Sequence, residues 1–187
     1  MYSPREGVKS RCALTGANGY LGSRVVRRFR SGGWEVVEMA RSGPSATRYS
    51  LDAPPPPEAL ENVDALIHCA YDFRTSTSSA FQDTNVDGSV RLLKAAREKG
   101  VKTIVFISSM AAYDGCKSHY GSGKLAVERE ATKLDAVIVR PRLEIGSTHS
   151  NPQFQGSAEQ QRCSIPVMLR MPAPPELQRW AALDEPR

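Results

Sequence analysis

The chain predicts a doubly wound α/β domain, a parallel sheet with helices on both faces, and three observations carry that reading. Short apolar runs alternate with amphipathic stretches from Arg11 to Val139. The runs are near-continuous rather than alternating, the pattern of strands buried on both sides. The first run is followed at once by three glycines spaced G-x-x-G-x-x-G, at Gly16, Gly19 and Gly22, where a strand gives way to a helix.

Taken in order, Arg11 to Thr15 predicts the first strand. Leu21 to Ser31 predicts a helix with Leu21, Val25, Val26 and Phe29 on one face and arginines on the other, ended by Gly32-Gly33. Trp34 to Met39 predicts a second strand and Thr47 to Leu51 a weaker third. Four prolines, Pro54 to Pro57, interrupt the chain, and a short helix is expected over Glu58 to Glu61. Ala65 to Cys69 reads as a buried strand. Asn85 to Lys99 reads as a strong helix, with Val86, Val90, Leu93 and Ala96 on one face and Gly100 as its stop. Lys102 to Ile107 is the next strand, Tyr120 to Lys133 a helix and Ala136 to Val139 a last strand. No internal repeat is evident. The expected organisation is a dinucleotide-binding domain over 1–150, followed over 151–187 by an irregular tail. That tail carries six prolines and a possible short helix at Leu177 to Leu183.

The whole-chain properties exclude several classes. With 187 residues, 40% hydrophobic and 24% charged, the chain can bury a sizeable core and does not read as disordered. No apolar run is long enough to span a bilayer, and Met1 to Arg11 lacks the apolar core of a signal peptide. The expectation is a cytoplasmic protein with no membrane partner. The net charge of +5 comes from scattered arginines, several on one helix face (Arg24, Arg27, Arg28, Arg30), which reads as a solvated face rather than a nucleic-acid interface. Four cysteines make no disulfide framework. Cys12 and Cys69 fall in core strands. Cys116 and His119 have metal-ligand spacing but no second pair, so no metal is expected.

The chemistry-bearing residues follow from those placements. Glycines at a strand-to-helix turn allow a tight bend and close approach of backbone N–H groups to phosphate, with the helix dipole adding favourable potential. No Lys-Ser/Thr pair follows, which rules out a nucleoside-triphosphate loop. At the end of the second strand, Ala40 offers no carboxylate for an adenosine ribose, and Arg41 offers a planar cation suited to a 2′-phosphate; Glu38 lies too early and points elsewhere. NADP is therefore favoured, with NAD the second choice. Tyr120 and Lys124 stand four apart on one helix face. A neighbouring ammonium favours the phenolate, which makes Tyr120 a candidate general acid/base. Ser109, with Ser108 second, ends a parallel strand where ligands of open sheets bind, and could polarise a substrate oxygen beside Tyr120.

These motifs in this order resemble the extended short-chain dehydrogenase/reductase family, also called the NAD-dependent epimerase/dehydratase family. The resemblance runs from about Arg11 to Gly146. It rests on Thr15-Gly16-x-x-Gly19-x-x-Gly22, Asp64 to Ala70, Asn85-Val86-x-Gly88, Ser108-Ser109-x-Ala111-Ala112-Tyr113, Tyr120-x-x-x-Lys124 and Arg140-Pro141. It implies a Rossmann-type fold in which Gly16, Gly19, Tyr20, Leu21 and Gly22 surround the pyrophosphate. Cys69, Ala70 and Tyr71 pass along the cofactor, and Pro141 lies near the nicotinamide. Asn85 matches a position tied to active-site architecture, and Asp52 is aligned with the acidic residue that contacts adenine. The resemblance also implies a catalytic Ser109, Tyr120 as acid/base and Lys124 as its partner and a holder of the ribose. The implied substrate is a small hydroxy or carbonyl compound, a sugar nucleotide among them. The implied assembly is a homodimer through the helices at Asn85 to Lys99 and Tyr120 to Lys133.

The match departs from the family pattern at two places. Asp114 to His119, between the serine and the tyrosine, is short. Arg142 to Gly146 replaces an apolar or aromatic run, and the proline-rich tail from Asn151 stands where a substrate-binding region continues in the family. Three readings are therefore open. They are an NAD(P)-dependent oxidoreductase or epimerase, a nucleotide-binding or redox-sensing module without turnover, and an inactive product truncated at the substrate-binding region.

Overall fold

Four consecutive residues of the first strand, Cys12 to Thr15, are fully buried, which only a central position in a sheet covered on both faces explains. The computed structural model describes residues 9–43, 46–75 and 77–141. Among them six strands form one parallel sheet: β1 (Arg11–Thr15), β2 (Glu35–Ala40), β3 (Thr47–Arg48), β4 (Ala65–His68), β5 (Thr103–Ile107) and β6 (Val137–Val139). Their order is β3-β2-β1-β4-β5-β6, so β1 lies between β2 and β4 and the winding reverses there. That reversal is the switch point at which open α/β sheets bind ligands.

Alternate residues of the strands feed two apolar layers. Ala13, Leu66, Ile104 and Phe106 pack under α3 (Gly88–Glu98) and α4 (His119–Lys133), which contribute Leu92, Leu93, Ala96, Val127 and Ala131. Cys12, Leu14 and Ile67 face α1 (Tyr20–Ser31), which contributes Val25, Val26 and Phe29. Helices thus cover both faces, as the sequence predicts.

Several elements differ from expectation. The third strand is only Thr47–Arg48, because Tyr49, after donating its N–H to Ala40 O, turns with Leu51 into the core. The helix expected over Glu58 to Glu61 is a 3₁₀ turn, Pro57–Leu60. The long helix begins not at Asn85 but at α2 (Ser78–Phe81), and runs through a π-helical turn, Gln82–Asp87, into α3. Thr77 caps α2 by accepting the Ala80 N–H at 3.2 Å. Cys69 lies just past β4 rather than within it. The expected tail over 151–187 and its short helix lie outside the described residues.

Candidate active site

The β1–α1 turn is as tight as its glycines predict. Gly16 has φ +71°, and a Cβ there would sit 2.9 Å from Ala70 N. A Cβ on Gly22 would meet Gly16 O at 2.1 Å. Gly19 is the N-cap of α1; no side chain caps that end, and its first turn holds no acidic residue. The amides of Tyr20, Leu21 and Gly22 have no carbonyl partner within the helix, so the turn presents donors and a positive dipole end. Tyr20 and Leu21 border a cavity of about 380 Å³ at the carboxyl ends of β1, β2 and β4. Eight of the predicted cofactor residues line it: Gly16, Gly19, Tyr20, Leu21, Arg41, Cys69, Ala70 and Tyr71. Gly22 lies buried beneath the turn. A dinucleotide pyrophosphate fits this uncapped, glycine-walled end.

At the far end of the cavity the surroundings are polar. Asn18 Nδ2 donates to Ser42 O, tying the turn to the chain after β2. Arg41 Nη1 lies 2.8 Å from Asp72 Oδ2, so Arg41 is ion-paired rather than simply solvated. Glu38 points away from the cavity, as expected, and pairs with Arg30 at 2.5 Å. Ser50 and Leu51 line the cavity, whereas Asp52 is exposed and does not.

A buried polar chain connects the turn to Asp72. Ala70 N–H donates to Thr15 Oγ1 at 3.3 Å, and Thr15 Oγ1 lies 2.7 Å from His68 Nδ1. His68 Nε2 lies 2.9 Å from Ser89 Oγ, and Ser89 donates its single hydroxyl hydrogen to Asn85 O at 2.6 Å. Nε2 therefore carries the ring hydrogen and Nδ1 accepts from Thr15. Burial, aided by the Lys124 charge, lowers His68 to about 3, so the ring is neutral. Asn85 completes the chain: its Oδ1 accepts the Asp72 N–H at 2.7 Å and its Nδ2 donates to Asp72 O at 2.9 Å. Hydrogen bonds from Arg74, with the Arg41 charge, hold the Asp72 carboxyl well below the usual carboxylate range.

Tyr120 stands one ring away from the cavity. Its ring meets Tyr71 edge-on at 4.9 Å between centroids and stacks with Phe73 at 6.2 Å. Burial, then the nearby Tyr120, push the Tyr71 phenol above the ordinary tyrosine range, so Tyr71 stays protonated. Ser118 caps α4 by accepting the Gly121 N–H at 3.1 Å, which fixes the turn that carries Tyr120. Lys124 is buried and donates from Nζ to Ile107 O at 2.8 Å, with Nζ 4.7 Å from the Phe106 ring centre and 5.3 Å from that of Tyr71. Burial pulls its pKa down to about 8. Ser109 Oγ accepts the Ala111 N–H at 3.2 Å, while Ser108 Oγ is buried without a partner among the described residues. Pro141 follows β6 and does not line the cavity. No group of three or more His, Cys, Asp or Glu side chains able to hold a metal occurs among the described residues, and Cys116 Sγ instead sits 3.2 Å from Ser118 Oγ.

A model of the NAD dependent epimerase/dehydratase family matches residues 12–158. The chain belongs to that family. It is 31% identical over 142 residues to a ceramide reductase of Caulobacter vibrioides, covering 69% of this chain and 44% of that protein. It is 26% identical to an N-acetyl-alpha-D-glucosaminyl-diphospho-ditrans,octacis-undecaprenol 4-epimerase of Escherichia coli O157:H7, covering 71% and 48%. The chain thus spans less than half the length of these two curated relatives. Among solved structures, it superposes on MoeE5 in complex with UDP-glucose and NAD with a TM-score of 0.59 at 26% identity, covering 69% of this chain and 52% of that one. A short-chain dehydrogenase/reductase superfamily protein from Agrobacterium tumefaciens with bound NAD gives a TM-score of 0.60 at 25% identity, covering 70% and 48%.

Within this NAD dependent epimerase/dehydratase fold, sequence reasoning missed Asp72, Asn18 and Ser50. Asp72 is four positions past His68 in a stretch with no periodicity, and its partners Arg41 and Asn85 are distant in sequence. Ser50 was hidden by the assignment of an extended third strand. No helix among the described residues is long and apolar enough to cross a membrane.

Proposed function

We propose that the chain is an NAD(P)-dependent oxidoreductase or epimerase-type enzyme in which Ser109, Tyr120 and Lys124 handle the proton while NAD(P) binds in the cavity at the β1–α1 turn. The single observation that carries this reading is the continuity of the two halves. Tyr71 lines the cavity and its ring packs on Tyr120, so the phenol stands one ring away from the cavity in which the dinucleotide would bind. Gly16, Gly19, Tyr20, Leu21 and Gly22 bind the pyrophosphate, and Cys69, Ala70 and Tyr71 flank the middle of the cofactor. Arg41 at the adenosine end favours NADP over NAD, because Ala40 supplies no carboxylate to a ribose.

The cofactor, when bound, gives or takes a hydride. The protein's part is proton transfer and orientation. In the oxidative direction Tyr120 takes the proton of a substrate hydroxyl, and in the reductive direction it returns one to the carbonyl oxygen. Ser109 donates a hydrogen bond to the same oxygen, which requires its hydroxyl hydrogen and leaves its acceptor bond to Ala111 N–H intact. Lys124 supplies positive charge behind the Tyr71 ring. The substrate class is a small hydroxy or carbonyl compound; sugar nucleotides belong to it, in keeping with the UDP-glucose complex of MoeE5.

The test is titration of the chain with NADPH and NADH, followed by turnover of Tyr120→Phe. Binding of either dinucleotide with turnover reduced at least about a hundredfold in the variant and cofactor affinity retained supports the reading. Unchanged turnover in Tyr120→Phe overturns the mechanism. Binding without turnover on carbonyl and sugar-nucleotide substrates favours a nucleotide-binding module, a reading encouraged by Lys124 donating to Ile107 O.

A further inference from the structure

Because β1 lies between β2 and β4, a contact from the end of β2 to the loop after β4 has to pass over the β1–α1 turn. One such contact exists. Arg41 follows β2 directly, and its Nη1 reaches Asp72 Oδ2 at 2.8 Å in the loop beyond β4. Both residues line the cavity. The acid is the fixed member of the pair. Asp72 is 8% exposed, and its backbone is held on both sides by buried Asn85. The Arg41 side chain is 46% exposed and can turn without disturbing the core. Asp72 also takes three hydrogen bonds from Arg74: from its backbone N at 3.0 Å, Nε at 3.0 Å and Nη2 at 2.8 Å.

We propose that Asp72 is a cofactor-selectivity residue, competing with the 2′-phosphate of a phosphorylated dinucleotide for Arg41 across the mouth of the cavity. The inference rests on the reading of the cavity as an NAD(P) site with Arg41 at its adenosine end. With Arg41 on Asp72, the cation is already neutralised. A 2′-phosphate has to draw Arg41 away while meeting the Asp72 anion at short range. Arg74 makes that exchange feasible, because Asp72 keeps three N–H donors when Arg41 leaves and is not stranded as an unpaired, largely buried anion. The unphosphorylated dinucleotide carries no charge at the 2′ position and leaves the Arg41–Asp72 pair in place. Asp72 therefore opposes the phosphorylated form, and both arginines favour it.

The two partners of Arg41's competition predict shifts of opposite sign. NADPH and NADH are titrated into the wild-type full chain, Asp72→Asn and Arg74→Gln, following the fluorescence of the reduced dinucleotide. Asp72→Asn keeps the size of the side chain and the backbone anchor to Asn85, and is expected to tighten NADPH about five- to tenfold while moving NADH less than about twofold. Arg74→Gln leaves the Asp72 charge wholly on Arg41 and is expected to weaken NADPH about fivefold with NADH again nearly unchanged. The Arg74 side chain is 71% exposed, so that variant tests the idea even if Asp72→Asn disturbs the loop. A purely structural role for the cluster shifts both dinucleotides together in both variants, and that result overturns the proposal. An unchanged NADPH-to-NADH ratio overturns it as well, with the NAD(P) reading left standing. Failure of the wild-type chain to bind either dinucleotide overturns that reading and this inference with it.

Discussion

Acidification of the wild type beside a variant that cannot titrate at position 68 isolates the contribution of His68. The ring is fully buried between Thr15 and Ser89, and burial lowers it from an ordinary 6.5 to about 3. Between those values the unfolded chain binds a proton at this position that the folded chain does not. Stability is therefore complete above about pH 6.5 and is lost progressively as the pH falls toward 3. Each pH unit inside that window is worth about 1.4 kcal/mol, so a drop from 6.5 to 4.5 removes about 3 kcal/mol. That is a large share of the ~5–15 kcal/mol that holds a domain folded. The reference is His68→Gln, whose amide can donate to Ser89 and accept from Thr15 but cannot titrate. Urea unfolding of both proteins between pH 7 and 4.5 gives their stability difference, from which the carboxylates common to both cancel. The wild-type advantage at neutral pH is expected to shrink by about 3 kcal/mol across the window. A difference that stays constant would refute the neutral, buried ring and the tautomer assigned to it.

Two further perturbations separate binding and catalysis from folding. Gly22→Ala places a Cβ 2.1 Å from Gly16 O, a backbone atom that cannot yield without opening the turn. Affinity for NADPH and NADH is expected to fall more than about tenfold with helical circular dichroism retained, and wild-type titrations would show that the turn is not the binding element. Lys124→Met addresses a buried cation whose pKa is lowered from 10.5 to about 8. Holding that charge in the fold costs about 3 kcal/mol below pH 8, a cost that disappears as the pH rises from 8 toward 10.5. The variant removes it and loses the bond to Ile107 O, worth about 1–3 kcal/mol if the carbonyl is left unpaired. Its melting temperature at pH 7 is expected to match or exceed that of the wild type while turnover falls about a hundredfold. A large drop in melting temperature would make Lys124 a structural tie instead.

The parts of the fold legible in the sequence are those fixed by local chemistry. Cys12 to Thr15 announces a buried central strand and Gly16 to Gly22 a tight turn, because a run of apolar residues and a positive-φ glycine act within a few positions of themselves. The parts that were not legible depend on distant partners. Nothing around Thr47 says that Tyr49 and Leu51 turn into the core, since that follows from the room left beside α3, where a Cβ on Gly88 would meet Leu51 O at 2.1 Å. Nothing in Ser78 to Phe81 shows helical periodicity, and only the Thr77 cap and the continuing rod make it helical. The same holds in the site. Arg41 was visible as a cation at a strand end, but its pairing with Asp72, thirty-one positions away, is a product of the strand order.

The segment Tyr120-Gly121-Ser122-Gly123-Lys124 shows how the two kinds of information meet. Two glycines within one turn of a helix cost about 1 kcal/mol each relative to alanine, so by propensity alone they argue against a helix there. Tertiary packing reverses that argument. A Cβ at Gly121 would meet Ala111 O at 2.2 Å and Cys116 Sγ at 2.4 Å, and one at Gly123 would meet the Phe81 ring at 2.5 Å. The first glycine lets α4 close on the loop that carries Ser109, and the second lets it close on the helix whose Phe81 packs against Tyr71. Both approaches bring Tyr120 and Lys124 toward the same Tyr71 ring that lines the cavity at the β1–α1 turn. The glycines that weaken the helix locally are therefore the residues that allow Tyr120 and Lys124, the side chains proposed to handle the proton, to reach the cavity wall.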